Sequence, residues 1–165
     1  MRTTVADRQF DEERALYNLR EADVTNCVFA GPADGESVLK ESRDVNLTDC
    51  TFSLRYPLWH VKKFIMDHST MDELTRAAIW YASDGTIKDS TLGGIKAVRE
   101  CERISLANCR IVSQEFGWKS SEIVLTDSEI ESEYLFFDSR DVKLDGVKMK
   151  GKYSFQYMKN LEITD

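Results

Sequence analysis

One repeated stretch constrains this chain more than any other feature. "VNLTDCTF", from Val45 to Phe52, returns as "ISLANCRI" (Ile104–Ile111), "IVLTDSEI" (Ile123–Ile130) and "VKLDGVKM" (Val142–Met149), and "LEITD" opens another copy at Leu161. Weaker copies are "ADVTNCVF" (Ala22–Phe29), "FIMDHSTM" (Phe64–Met71) and "GTIKDSTL" (Gly85–Leu92). Aligning the second apolar position gives Val24, Leu47, Met66, Ile87, Leu106, Leu125, Leu144 and Ile163, at intervals of 23, 19, 21, 19, 19, 19 and 19. A fixed period of this length is the signature of a stacked repeat architecture.

Each copy reads apolar-x-apolar, then small or polar residues, then apolar. The residue before the small position is Asn26, Asp49, His68, Asp89, Asn108, Asp127 or Gly146. Most of these types tolerate a left-handed backbone, so the unit is a short strand, a one-residue corner and a second short strand. The small position runs Cys27, Cys50, Ser69, Ser90, Cys109, Ser128 and Val147, and the next inward one Phe29, Phe52, Met71, Leu92, Ile111, Ile130 and Met149. Short strands that each stack on the next repeat describe a parallel β-helix, in which like residues form vertical columns about 4.8 Å apart. The expected fold is therefore all-β: a right-handed, single-stranded parallel β-helix (solenoid) with ~19-residue coils, its handedness taken by analogy. Residues 1–165 form one domain, with 1–18 as an amino-terminal cap and about eight coils, the last incomplete. The two longer intervals place outward loops at Ala30–Glu36 and Ser69–Arg76. Asp84-Gly85 reads as a bend between two faces, with Ile87, Ser90 and Leu92 inward beyond it.

The same register carried to the preceding strand gives further columns. Leu39, Leu58, Ile79, Val98, Gly117, Phe136 and Phe155 face inward, as do Ser42, Val61, Ala82, Cys101, Ser120, Ser139 and Met158. Between them runs Lys40, Trp59, Trp80, Arg99, Trp118, Phe137 and Gln156, which a dry interior would not accept. It is expected outside, bordered by an apolar column of Val38, Pro57, Ala78, Ala97, Phe116, Leu135 and Ser154. The next column outward is Glu41, His60, Tyr81, Glu100, Lys119, Asp138 and Tyr157. Trp59, Trp80, Tyr81, Arg99, Trp118 and Phe137 are thus the candidate ligand or interface residues. Soluble monomers rarely leave such a patch bare. A covering segment of the same chain, a second subunit and a sugar stacked on the rings are the alternatives.

Catalysis has thin support. Arg99, Glu100, Asp138 and His60 are the weak candidates, in a column of mixed sign that more often forms a solvated salt-bridged face. Glu100 and Asp138 stand two rungs apart, about 10 Å by rung stacking, which suits an inverting carboxylate pair but also any charged column. His68 occupies a corner position, and His60 has no second His or Cys beside it, so no metal is expected. No cofactor fingerprint is present. Four cysteines without finger spacing read as reduced core thiols. With 22 Lys and Arg against 29 Asp and Glu, the net charge of -7 disfavours nucleic acid. No stretch has the length of a signal peptide or membrane span, so no membrane partner and a cytoplasmic location are expected.

"ERALY", "LRYPLWH", "RAAIWY", "GIKAVREC", "EFGW", "SEYLFF" and "GKYSFQY", spaced by the strand motif, resemble a bacterial family of pectate-lyase-like right-handed β-helix proteins of unknown function, from Glu13 to Asp165. The resemblance implies the fold and brings no catalytic residues. It also implies further rungs beyond Asp165, which leaves an open carboxyl-terminal end. The functional expectation is a non-catalytic solenoid presenting a surface, a homo-oligomer through the ladder or that open end. A carbohydrate-binding or carbohydrate-active protein is the alternative.

Overall fold

The computed structural model describes all 165 residues, and its regular structure is entirely β-strand and turn. Nine strands lie side by side in one parallel sheet: Thr3–Ala6, Arg20–Thr25, Arg43–Thr48, Lys62–Asp67, Ser83–Lys88, Glu102–Ala107, Ser121–Thr126, Arg140–Asp145 and Lys159–Thr164. A second parallel sheet of eight shorter strands, from Gln9–Phe10 to Lys148–Lys150, follows the same order. The remaining sides are short pairings, Ile79–Trp80 with Val98–Arg99 and the bridges joining Arg76, Ile95 and Gln114. The chain is thus a parallel β-solenoid whose rungs meet at the columns read from the repeat: Leu47 pairs Met66, Met66 pairs Ile87, and Ile87 pairs Leu106.

Residues 1–18, expected as a cap, are themselves the first coil. Thr3–Ala6 pairs in parallel with Ala22–Thr25, and Phe10 pairs with Phe29. The copy was hard to see because its corner is Asp7 followed by Arg8, without the small residue that marks later corners. The long intervals are outward loops. The first packs over the opening coil, with the Gly35 amide on the Asp11 carbonyl at 2.8 Å. The second is confined to the turn at Asp72–Thr75, because Thr70 and Met71 stay in the sheet.

The corner column behaves as its residue types demand. Asp7, Asn26, Asp49, His68, Asp89, Asn108 and Asp127 have φ between 47° and 57°, and Gly146 has 65°. Four more columns are also left-handed. One contains Leu39, Leu58, Phe136 and Phe155, one Glu41, His60, Tyr81, Glu100, Lys119, Asp138 and Tyr157, one Asp44, Lys63, Asp84, Arg103, Glu122 and Asp141, and one Ser37, Tyr56, Ala77, Lys96 and Glu115. The last of these corrects one expectation. Val38, Pro57, Ala78, Ala97, Phe116 and Leu135 do not border the ladder outside but are buried. The corner turns two consecutive side chains inward, which plain strand alternation cannot do.

The core is a set of vertical stacks. Phe10, Phe29 and Phe52 lie face to face, with ring centroids 5.4 and 4.7 Å apart. At two other places a large ring packs against a glycine of the neighbouring rung. A Cβ on Gly85 would lie 2.3 Å from the Phe64 ring, and one on Gly117 the same distance from Phe136. Gly85 is therefore not the bend itself. It sits inside the strand Ser83–Lys88 to clear the Phe64 ring, and Asp84, with φ of 57°, makes the irregularity.

The small column has a second job. Where the next rung carries a serine, its hydroxyl accepts from the inward-pointing backbone amide that follows the corner. Cys50 N–H donates to Ser69 Oγ at 3.1 Å, Ser69 N–H to Ser90 Oγ at 3.2 Å and Cys109 N–H to Ser128 Oγ at 3.0 Å. Cys101 to Ser120 and Ser120 to Ser139 repeat the device at the opposite corner. Buried amides without partners are costly, so the column needs small residues that also accept a hydrogen bond. At the far end of the solenoid Val147, Phe155, Met158 and Leu161 are half-buried, and Met149 and Ile163 are 39% and 52% exposed.

Candidate functional site

The outward ladder exists in the register read from the sequence. Trp59, Trp80, Arg99, Trp118 and Phe137 are all half-buried on the outside of the coil. Each is followed by a left-handed corner residue whose amide reaches the next rung. His60 N–H donates to the Trp80 carbonyl at 2.9 Å, Tyr81 to Arg99 at 3.1 Å, Glu100 to Trp118 at 2.7 Å and Lys119 to Phe137 at 2.8 Å. The backbone therefore sets the ladder at rung spacing, and the side chains fill it as one pile.

The rings use that spacing fully. Trp59 and Trp80 are parallel within 7°, with centroids 4.8 Å apart. The Lys40 ammonium caps the outer face of Trp59 at 4.5 Å, and the Arg99 guanidinium caps Trp80 at 4.2 Å. Lys96 sits 4.9 Å from the Trp118 ring, which stacks on Phe137 at 4.4 Å. Tyr56 leans across the pile, 5.9 Å from both Trp59 and Trp80. Such contacts are worth roughly 0.5–1.5 kcal/mol per aromatic pair and about 0.5–1 kcal/mol per exposed cation. Both faces of each stacked indole are occupied by neighbours from the same chain, and the edges point outward. The indole nitrogens of Trp59 and Trp80 are shielded and have no hydrogen-bond acceptor.

The corner column beside the ladder carries a second, shorter stack. His60 lies 5.0 Å from Tyr81 and 6.0 Å from Trp59, nearly parallel to each. Tyr81 is 39% exposed and Tyr157 76%. The weak catalytic candidates are all placed here. Arg99 Nε is 3.4 Å from Glu100 Oε1, an ion-pair contact without a hydrogen bond, and its guanidinium lies over Trp80. Glu100 and Asp138 stand in one corner column with Lys119 between them, on the same side of the coil rather than on facing walls. His60 packs as a ring among rings.

His68 is a corner residue, as expected. Its Nδ1 lies 2.7 Å from Asp67 Oδ1 and its Nε2 3.8 Å from Asp89 Oδ2. Asn108 Nδ2 donates to Asp89 at 2.6 Å and Asn26 Nδ2 to Asp7 at 2.8 Å, so the corner column is a ladder in which amide or imidazole donors alternate with carboxylates. Asp67, His68 and Asp89 converge as a potential ligand group, a grouping that sequence reading missed because Asp67 precedes the corner.

Between the exposed corner column and the first sheet lie two separate shallow grooves, one reaching Ser42 and the other Ser120, Ser121 and Ser139. The thiols at this and the neighbouring corner are buried and unpaired. Burial pushes Cys50 up to about 11 and Cys101 up to about 12.

A family model described as a protein of unknown function (DUF3737) matches residues 3–165. No curated protein matches the chain. Two similar solved structures are trypsin-treated forms of QnrB1, a plasmid-mediated fluoroquinolone resistance protein, rather than pectate-lyase-like proteins. One is 14% identical, with 90% of each chain covered and a TM-score of 0.38. The other is 13% identical, with 90% of this chain and 89% of that one covered and a TM-score of 0.37.

Proposed function

The chain belongs to the DUF3737 family of proteins of unknown function, and we propose that it is a non-catalytic solenoid that presents a surface, with the edge of the aromatic ladder as the contact strip for a second copy of itself. The observation that carries this reading is the outward pile of Trp59, Trp80, Arg99, Trp118 and Phe137. It is aromatic, interleaved with cations and fixed to the rung spacing. Aromatic residues and Arg are enriched in protein–protein contacts, where a pre-ordered strip loses little side-chain entropy on binding.

A carbohydrate reading needs open ring faces for a sugar to stack on. A 4.8 Å separation leaves no room between Trp59 and Trp80, and Lys40 and Arg99 cover the two outer faces. The placement of the Arg99 guanidinium over Trp80 weighs in the same way against a catalytic role.

Solution mass by size-exclusion chromatography with light scattering tests the proposal. The expected result is a dimer that Tyr81→Glu, at the exposed edge, converts to a monomer. A chain that stays monomeric across the accessible concentration range would remove self-association. Oligosaccharide-induced shifts in tryptophan fluorescence would revive the sugar reading.

A further inference from the structure

Arg20, Arg43 and Lys62 open three successive strands of the nine-stranded sheet and stand directly over one another, each pairing with the next. All three are exposed. The column then continues as Ser83, Glu102 and Ser121 before returning to Arg140 and Lys159. Three like charges at rung spacing repel, and a chain with 29 acidic residues has ample means to neutralise them. It does so one position along. There Arg2 meets Asp23 and Asp44, Lys63 meets Asp44, and Arg103 meets Asp84 and Glu122. No ion pair reaches Arg20, Arg43 or Lys62; Arg20 donates only to the Asn18 side chain, at 2.6 Å.

The three cations share a groove of about 270 Å³ with Glu41, Ser42 and His60. Glu41, the one acid there, accepts from the Tyr17 hydroxyl at 2.9 Å. The floor is self-satisfied, since Ser42 Oγ accepts from the Leu19 amide at 3.1 Å, so the available donors are the two guanidiniums, the ammonium and the imidazole. Guanidinium forks suit phosphate-type oxyanions, and three cations across two rung spacings, about 10 Å, span two such groups better than one.

From this juxtaposition we infer that the groove at Arg20, Arg43, Lys62 and His60 is a binding site for a small molecule bearing a diphosphate group. Trp80 and Trp118 do not line the site, and it meets the ladder only through His60, which stacks on Tyr81 and Trp59. Net charge argues against a long nucleic acid as the source, whereas a diphosphate needs only the local field.

The test is calorimetric titration of the full chain with inorganic pyrophosphate, and separately with ADP, at constant ionic strength. Saturable binding of pyrophosphate is expected, weakened roughly tenfold or more by Arg43→Ser. Serine already occupies this column at Ser83 and Ser121, so the substitution suits the strand, and Lys62→Ser provides a second variant. Arg110→Ser, an equal charge change at a residue paired with Glu129 in the other sheet, should bind as the unaltered chain does. ADP binding more tightly than pyrophosphate identifies a nucleotide source, and equal binding identifies the diphosphate alone. Absence of saturable binding, indifference to both Arg43→Ser and Lys62→Ser, or an equal loss in Arg110→Ser overturns the inference.

Discussion

Replacing Ser69 with alanine isolates the role of the inward hydroxyl column. Ser69 Oγ accepts from the Cys50 amide at 3.1 Å and donates to the Asp67 carbonyl at 3.0 Å, and the residue is 2% exposed. Alanine keeps the small size but removes the acceptor, leaving a buried N–H unpaired. The Asp67 carbonyl keeps a second partner, the Asp49 amide at 3.1 Å, so the loss falls on Cys50. A stranded buried donor costs about 1–3 kcal/mol. For a chain of this length ~2 kcal/mol corresponds to a fall in Tm of roughly 4–8 °C. Cysteine should be milder, because the same column holds Cys27, Cys50 and Cys109, and the Cys50 and Cys109 thiols donate to the Thr48 and Ala107 carbonyls at 3.4 and 3.3 Å. Urea unfolding of Ser69→Ala and Ser69→Cys beside the unaltered chain measures both. If alanine costs less than about 0.5 kcal/mol, or the two variants match, the column needs small size alone and the hydrogen-bond argument is wrong.

Two further outcomes rest on ionisation. Burial holds Cys50 and Cys101 at about 11 and about 12, so a thiol-specific reagent at pH 8 should leave the native protein unlabelled and modify all four cysteines in urea; rapid labelling of the native form would mean that the coil interior opens. The hydrogen bond from Arg103 Nε, 2.6 Å long, holds the Asp84 carboxyl below its ordinary 3.8. Because the folded-state value is the lower one, the stabilisation is present above pH 3.8 and is lost as pH falls through the depressed value. Arg103→Ser should raise the Asp84 midpoint in an NMR titration, and an unmoved midpoint would mean that the pair does not form in solution.

Much of this architecture was legible because a solenoid repeats its evidence in every rung. The inward positions of Leu47, Leu106 and Leu125, and the outward ladder of Trp59, Trp80 and Trp118, follow from period alone. The left-handed corner at Asn26, Asp49 and Asn108 was visible because Asn and Asp favour it. The corners at Leu58, Tyr81 and Lys63 were not, since those residue types carry no such preference and adopt φ near 55° only because the rungs on either side hold them there. The inward turn of Val38, Ala78 and Phe116 was lost in the same way, with the left-handed residues Ser37, Ala77 and Glu115 before them. The ladder's columns could be read, but not that its ring faces are filled from within, which depends on Lys40 and Arg99 folding over the indoles. The basic groove escaped because Arg20, Arg43 and Lys62 are separated by 23 and 19 residues and look unremarkable until stacked.

The rung-to-rung pairing has a consequence for how such a protein can change size. Ile104, Ile123 and Val142 occupy equivalent seats 19 residues apart, and each strand of the sheet pairs only with the one before and the one after it. Excising residues 104–122 would bring Ile123 into the seat of Ile104 with the inward columns, corners and hydroxyl donors still aligned. Duplicating the same segment would lengthen the rod by one storey. Length is then a property that inheritance can adjust in whole units, without redesigning any interior contact, while a gain or loss of a single residue within a strand would turn that rung's inward side chains outward.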